Sequence, residues 1–213
     1  MKFEELLEIV DSELLFETGF LLAGDADPAE IHGQLSRWVR AGRLDQIRRG
    51  LYALAPPFQR ARPHPFMVAN RLVPGSYVSL QSALAHASMI PESVPVTTSV
   101  SAGRPGRWDT PLGTYVFRHI QPDFLTGFRR TPVVGRMEAL LATPEKALLD
   151  LVYLETDGDS PAYLSELRLQ NLDGLDLNEL HRFAEASAKP KLRRAADQIA
   201  HLAEIEAEEY EAL

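Results

Sequence analysis

The stretch DPAEIHGQLSRWVRAGRLDQIRRGLYAL, from Asp27 to Leu54, constrains the fold more than any other part of the chain. Asp27 stands where an N-cap belongs, with Pro28 at the first helical position and Glu30 at the third, which predicts a capping box. Ile31, Leu35, Trp38 and Val39 recur at helical spacing and mark a face that needs a core. Ala41-Gly42 ends this helix, because glycine accepts the left-handed conformation that closes a helix without a steric penalty. Arg43 to Arg48 then extends as a strand, Arg49-Gly50 turns, and Leu51 to Leu54 returns. Upstream, Lys2 to Val10 is a short amphipathic helix with Phe3, Leu6, Leu7 and Val10 on one face. The segment from Leu14 reads equally as a short helix or an extended piece, and GDADP as a turn. This order of elements is that of a winged helix-turn-helix domain.

Charge is distributed in a way that the total conceals. The formal net charge is -8, which by itself argues against a nucleic-acid partner. Yet from Ile31 to Arg62 the basic residues are Arg37, Arg40, Arg43, Arg48, Arg49, Arg60 and Arg62, and Asp45 is the only acid. All are arginine, whose planar guanidinium suits bidentate contact with phosphate and guanine. The outward face of the capped helix carries His32, Gly33, Ser36, Arg37 and Arg40, and a helix of this size fits the DNA major groove. Two readings stand at this level: a DNA-reading helix, or a solvated face of the kind found on many helices.

Other classes are excluded more simply. The chain has no cysteine, so it has neither disulfides nor thiolate metal sites and fits a reducing cytoplasm. No apolar run approaches the eighteen or so residues that span a bilayer, and the acidic N-terminal segment lacks a cleavage-site pattern. The six histidines show no HxH or HExxH spacing, so no metal is expected. The glycines of SAGRPGRW match neither a Walker loop nor a dinucleotide fingerprint; they read as hairpin flexibility, and no cofactor is expected.

Proline concentrates between Ala55 and Pro65 and reads as a stiff connector, with a boundary near residue 60 that separates a domain at 1–58 from one at 64–213. Beyond it, helices are expected over Pro65–Leu72 and Leu80–Ala87, the second capped by Ser79, and a strand over Val94–Val100. Trp108 to Gly113 reads as a hairpin loop, Thr114–Ile120 as the returning strand and Arg136–Leu141 as another. Thr143-Pro144 and Ser160-Pro161 start helices, Asp176 with Glu179 makes a capping box, and a last helix runs from about Pro190 toward Glu211. The expected fold class is α+β, a winged helix-turn-helix followed by a mixed α/β domain. In the last helix, Lys191, Arg193 and Arg194 lie near the positive end, and Glu206, Glu208, Glu209 and Glu211 near the negative end. Both placements oppose the helix dipole, which points either to a partner surface or to tertiary contacts that override the local cost.

Enzymatic motifs are weak. Ser82 and His86 have the i,i+4 spacing of a hydrogen-bonded pair, but no carboxylate is placed to orient the histidine. Glu145, Lys146 and Asp150 hint at a nuclease-like magnesium site, but Glu145 is explained by the helix dipole and Lys146 with Asp150 by an i,i+4 ion pair. No catalytic residue is assigned and no enzyme is expected. Arg104, Arg107, Arg118, Arg129 and Arg130 would make a second basic patch, for nucleic acid or an acidic protein, if the hairpin gathers them; otherwise they are scattered surface charges.

Four ordered segments carry a resemblance. LSRWVRAGRLDQIRRGLYAL, SYVSLQSALAHASMIPE (Ser76–Glu92), VTTSVSAGRPGRWDTPLGTYVFRHI (Val96–Ile120) and LATPEKALLDLVYL (Leu141–Leu154) together resemble the AbiEi antitoxins of bacterial type IV toxin–antitoxin systems. The resemblance covers most of the chain. It implies a DNA-binding autorepressor whose winged helix binds inverted repeats of double-stranded promoter DNA. It also implies a C-terminal domain needed to counteract a nucleotidyltransferase-like toxin encoded alongside. Carried onto this sequence, Gln34, Ser36, Arg37 and Arg40 become groove contacts, and Arg43, Arg48 and Arg49 phosphate contacts on the wing. The alternatives are a winged-helix regulator without a toxin partner and, less favoured by the residues, a nuclease.

Overall fold

The computed structural model describes residues 1–11, 13–22, 27–92 and 94–211, with side chains described as far as residue 208. Most of the expected GDADP turn, and the Glu209 and Glu211 side chains, lie outside that set. The N-terminal part runs α1 (Phe3–Ile9), β1 (Phe16–Glu17), α2 (Thr18–Leu21), α3 (Pro28–Arg40), β2 (Leu44–Arg48) and β3 (Leu51–Leu54). Its three strands are antiparallel in the order β1-β3-β2, which is winged-helix topology. The segment whose periodicity was ambiguous is both things in turn, two residues of strand and then one helical turn.

Local chemistry sets the bounds of α3. The Asp27 carboxylate accepts from the Ala29 N–H at 2.9 Å, and Pro28 occupies the first turn, where its missing N–H costs nothing. The expected capping box does not form. Gln34, one turn on, donates to Glu30 at 2.6 Å and draws that carboxylate along the helix. Gly42 closes the helix at φ +67° and Gly50 turns the hairpin at φ +81°, backbone states that glycine adopts without strain.

The rest of the chain runs α4 (Pro65–Leu72), β4 (Tyr77–Val78), α5 (Leu80–His86), β5 (Thr97–Ser101), β6 (Gly106–Thr110), β7 (Gly113–His119), β8 (Phe128–Val134) and β9 (Met137–Ala142). It closes with α6 (Pro144–Leu154), α7 (Pro161–Glu166), α8 (Leu177–Ala186) and α9 (Pro190–Glu211), with 3-10 turns at Pro122–Phe124 and Leu172–Gly174. The strands form one mixed sheet in the order β6-β7-β5-β4-β9-β8, in which β5–β7 and β4–β9 are parallel. The fold is α+β. The expected loop at Trp108–Gly113 is shorter than its turn residues suggest, since Trp108 to Thr110 pair with β7 and only Pro111 and Leu112 are left to turn. β8 contains Pro132, yet it lies at the sheet edge beside a register shift, where a missing N–H is tolerated.

Two apolar clusters hold the molecule. One lies under α3 and contains Phe3, Leu6, Val10, Ile31, Leu35 and Tyr52. The other fills the C-terminal sheet and its helices, and it also takes in Leu15, Ile47, Leu51 and Ala53 from around the wing sheet. Strand alternation explains this: β2 and β3 send side chains to both faces, and both faces are covered. Each large wing side chain buried there contributes about 1.5–3 kcal/mol. The winged helix is therefore packed onto the following sheet through its strands, and not only tethered by the proline-rich connector.

Candidate nucleic-acid interface

The capped α3 buries Ile31, Gln34 and Leu35 and leaves His32, Gly33, Ser36, Arg37 and Arg40 exposed on the opposite side. The packing behind it is aromatic. Phe3 meets Trp38 edge-on at 5.4 Å and Phe58 edge-on at 4.9 Å, which fixes α1 against the back of the helix. Arg37 and Arg40, one turn apart at i and i+3, share the outward face, and neither has an acidic partner among the described residues. Ser36 is exposed, but its hydroxyl donates to the His32 carbonyl at 2.9 Å. Gln34 is only 7% exposed and is bonded to Glu30, so it stands apart from the surface that Arg37 and Arg40 share.

The wing arginines divide. Arg49 is exposed at the hairpin turn. Arg43 is exposed at the start of the wing, with its guanidinium carbon 4.9 Å from the Phe3 ring centre, a cation–π contact with α1. Arg48 turns inward. It donates to the Arg49 carbonyl at 3.2 Å and to the Arg71 carbonyl at 3.5 Å, and it meets Glu17 at 3.5 Å. It thereby braces the wing against the end of α4. Sequence spacing cannot show this, because the acceptor is a backbone group 23 residues away.

The C-terminal arginines are not gathered into one patch. Arg107 lies on β6 and Arg118 on β7, with Arg104 just before them, at one edge of the sheet; Arg129 and Arg130 lie on β8 at the other. Five strand spacings separate those edges, roughly 24 Å. Arg107 is bound by Asp109 at 3.1 Å through two nitrogens, and Arg130 lies 3.5 Å from Glu138.

The residues that suggested chemistry take part in contacts that tie elements of the fold together. Ser82 bonds to the Val96 carbonyl and to Thr98, tying α5 to β5, and not to His86. Glu145, 4% exposed, accepts from the Asp176 N–H at 2.9 Å and so supplies the second half of the box in which Asp176 takes the Glu179 N–H. Lys146 and Asp150 form an ion pair with no exposure at all. Ser79, at the N-cap position of α5, donates to Asp150 at 2.7 Å instead of capping its helix, and the Tyr77 hydroxyl donates at 3.0 Å. The Lys146 ammonium also sits 3.7 Å from the Phe124 ring centre. Burial is the largest influence on this group: it pushes the Asp150 carboxyl up and the Lys146 ammonium down, each opposed by its partner. Among the described residues, no group of three or more His, Asp or Glu is placed to hold a metal ion, and no helix is long and apolar enough to cross a membrane.

The basic residues at the start of α9, and Glu206 near its end, are explained by tertiary contacts. Lys191 donates to the Glu155 carbonyl at the C-cap of α6, Arg194 meets Asp159 at 2.7 Å, and Arg193 meets Glu185 at 3.0 Å. Near the other end, Glu206 accepts the N–H groups of Asn171 and Leu172 at 2.9 and 2.6 Å, capping the second 3-10 turn.

Comparison with known proteins bears on the fold and on the winged helix. The crystal structure of the RV2827C protein from Mycobacterium tuberculosis superposes with a TM-score of 0.61 at 17% identity, covering 94% of this chain and 76% of that one. That likeness extends through both parts of the molecule and shows a shared fold. No curated protein matches in sequence. Residues 8–55, from the end of α1 through the wing, match the family model described as "Transcriptional regulator, AbiEi antitoxin". Over residues 8–55 the winged helix of this chain is therefore similar to that of the AbiEi antitoxin transcriptional regulators.

Proposed function

We propose that the protein is a DNA-binding autorepressor and the antitoxin of a type IV toxin–antitoxin pair, acting in the cytoplasm and not as an enzyme. The observation that carries the DNA-binding half is the exposed α3 face, where Arg37 and Arg40 have no acidic partner among the described residues, on a helix that packs inward through Ile31 and Leu35 with Phe3 against its Trp38. In this reading α3 enters the major groove, Ser36, Arg37 and Arg40 reach base edges, and Arg43 and Arg49 take flanking phosphates. Arg48 holds the wing in place, and Gln34 fixes the helix from its buried side. Two copies bind the two halves of a promoter inverted repeat, since each winged helix reads one half-site.

The antitoxin half rests on the name of the family that residues 8–55 match. Its assignment to the C-terminal unit, against a nucleotidyltransferase-like toxin encoded alongside, rests on the resemblance of Ser76–Glu92, Val96–Ile120 and Leu141–Leu154. Two measurements test the proposal. Gel-shift titration with the DNA upstream of the protein's own gene should give a specific complex that a random duplex does not compete away. Co-expression should restore growth to cells that produce the neighbouring gene product. A complex no tighter than that with random DNA contradicts autorepression, and failure to restore growth contradicts the antitoxin assignment.

A further inference from the structure

α9 runs for 22 residues and buries Leu192, Ala195, Ala196 and Ile199 completely. Its opposite face is a stripe of exposed residues: Pro190, Arg194, Asp197, His201, Glu204 and Glu208. These positions are spaced alternately by four and three, the spacing of the seam along which two helices lie side by side over several turns. The stripe is exposed along its whole length, so no described element of the chain covers it. It is basic at its start and acidic at its end, the order that opposes the helix dipole. Contacts within the chain engage it only as surface pairs: Arg194 with Asp159 at 2.7 Å, Asp197 with His181 at 3.3 Å, and His201 with Glu204 at 3.6 Å. Pairs of that kind contribute little and exchange readily for other partners.

The order of charges identifies the partner, because it is complementary to its own reverse. Arg194 and Glu204 lie five residues to either side of Ile199, and Asp197 and His201 two residues to either side. An antiparallel second copy centred at the level of Ile199 therefore sets Arg194 opposite Glu204 twice and Asp197 opposite His201 twice. A parallel copy in the same register would set Arg194 against Arg194 and Glu204 against Glu204, which is repulsive. Ile205, 40% exposed, flanks the stripe and would cover the aliphatic stem of Arg194 of the second copy. We propose that this face of α9 is the contact between two copies of the chain, an antiparallel, twofold-symmetric helix pair held mainly by charge. A twofold axis suits a repressor of an inverted repeat. The contact itself needs no DNA, so it holds or fails separately from the DNA-binding reading above. Being one polar helix face, it makes a weak dimer that salt dissociates.

Sedimentation equilibrium of the full chain without DNA tests this, at about 1–300 µM protein and at about 50 and 500 mM salt. The parent should associate to a dimer at the lower salt, with a dissociation constant at least about tenfold higher at the higher salt. Arg194→Glu and Glu204→Arg should each raise the low-salt constant at least about tenfold, since each sets like charges opposite one another at both symmetric contacts. Arg194→Glu/Glu204→Arg restores the pairing with its sense exchanged and should return the parental constant. Glu8→Arg, on α1, makes the same charge change as Glu204→Arg away from the stripe and should leave the constant unchanged. All variants should melt like the parent. A parent that stays monomeric throughout overturns the inference and leaves the DNA-binding reading intact. Single reversals that associate like the parent overturn the assignment to this face. A double reversal as weak as the singles overturns the antiparallel register.

Discussion

In the winged helix, Arg37, Arg40 and Arg49 extend into solvent with no carboxylate partner among the described residues. In the C-terminal unit Arg107, Arg130, Arg168, Arg182, Arg193 and Arg194 each meet an acid. Such surface pairs add little stability, but they cancel each other's field. A protein of net charge -8 therefore keeps one helix face and one hairpin turn positive while most of its other arginines are neutralised locally. The exceptions sharpen the contrast. Among the described residues Arg71, beside the wing, and Arg136 have no acidic partner, and neither do Arg104, Arg118 and Arg129, which are spread over two sheet edges.

The two regions also differ in what their charges do for folding, and that difference can be broken by mutation. The largest expected effect is at the buried pair. Asp150→Ala strands the Lys146 ammonium and frees the hydroxyls of Tyr77 and Ser79, which should cost about 3–5 kcal/mol in urea unfolding. A loss below about 1 kcal/mol would mean that the buried pair and its two hydroxyl donors add little to the stability of the fold. Next is the junction. Leu51 is fully buried in the cluster shared with the C-terminal sheet, so Leu51→Ala should cost about 2–5 kcal/mol and lower a single melting transition. Two separated transitions, with only the earlier one shifted, would show that the units fold independently.

A smaller pair of effects separates the neighbouring wing arginines. Arg49→Ala should reduce the salt slope of DNA binding by about 0.9 and change stability by less than about 0.5 kcal/mol. Arg48→Ala should do the reverse, costing about 1 kcal/mol by freeing the Arg71 carbonyl while leaving the slope intact. Interchanged results would invert the roles given to the two residues.

The smallest effect is a pH dependence. The His64 Nδ1 accepts the Phe66 N–H at 3.2 Å and caps α4, which requires a neutral ring. Burial first, and His86 second, hold its pKa below the ordinary value of 6.5. Because the folded value lies below the unfolded one, the stabilisation is complete above the unfolded pKa and is lost as pH falls through the folded value. His64→Asn keeps a capping acceptor, so it should flatten the fall in melting temperature below about pH 6.5. A fall of the same depth in the variant would assign that dependence to other groups.

The N-terminal elements were legible because their signals are local. Asp27, Pro28 and Gly42 bracket α3, and the apolar spacing of Ile31 and Leu35 sets its inward face. What was not legible depends on distant partners. Glu30 forms no capping box because Gln34 binds it, and Ser79 does not cap α5 because Asp150, 71 residues away, takes its hydroxyl. β8 was hidden by Pro132, which is acceptable only at an edge, and the edge position follows from strand order. The inward turn of Arg48 and the separation of Arg107 from Arg130 likewise follow from topology, which composition and spacing do not encode.

The most direct test of the central claim is equilibrium binding of duplex DNA by the Arg37→Ala/Arg40→Ala variant between about 50 and 200 mM salt. The expected result is at least about a thirtyfold loss of affinity and a clearly shallower salt slope, with the melting temperature unchanged. Parental affinity and slope in the double variant would contradict the assignment of the α3 face to DNA.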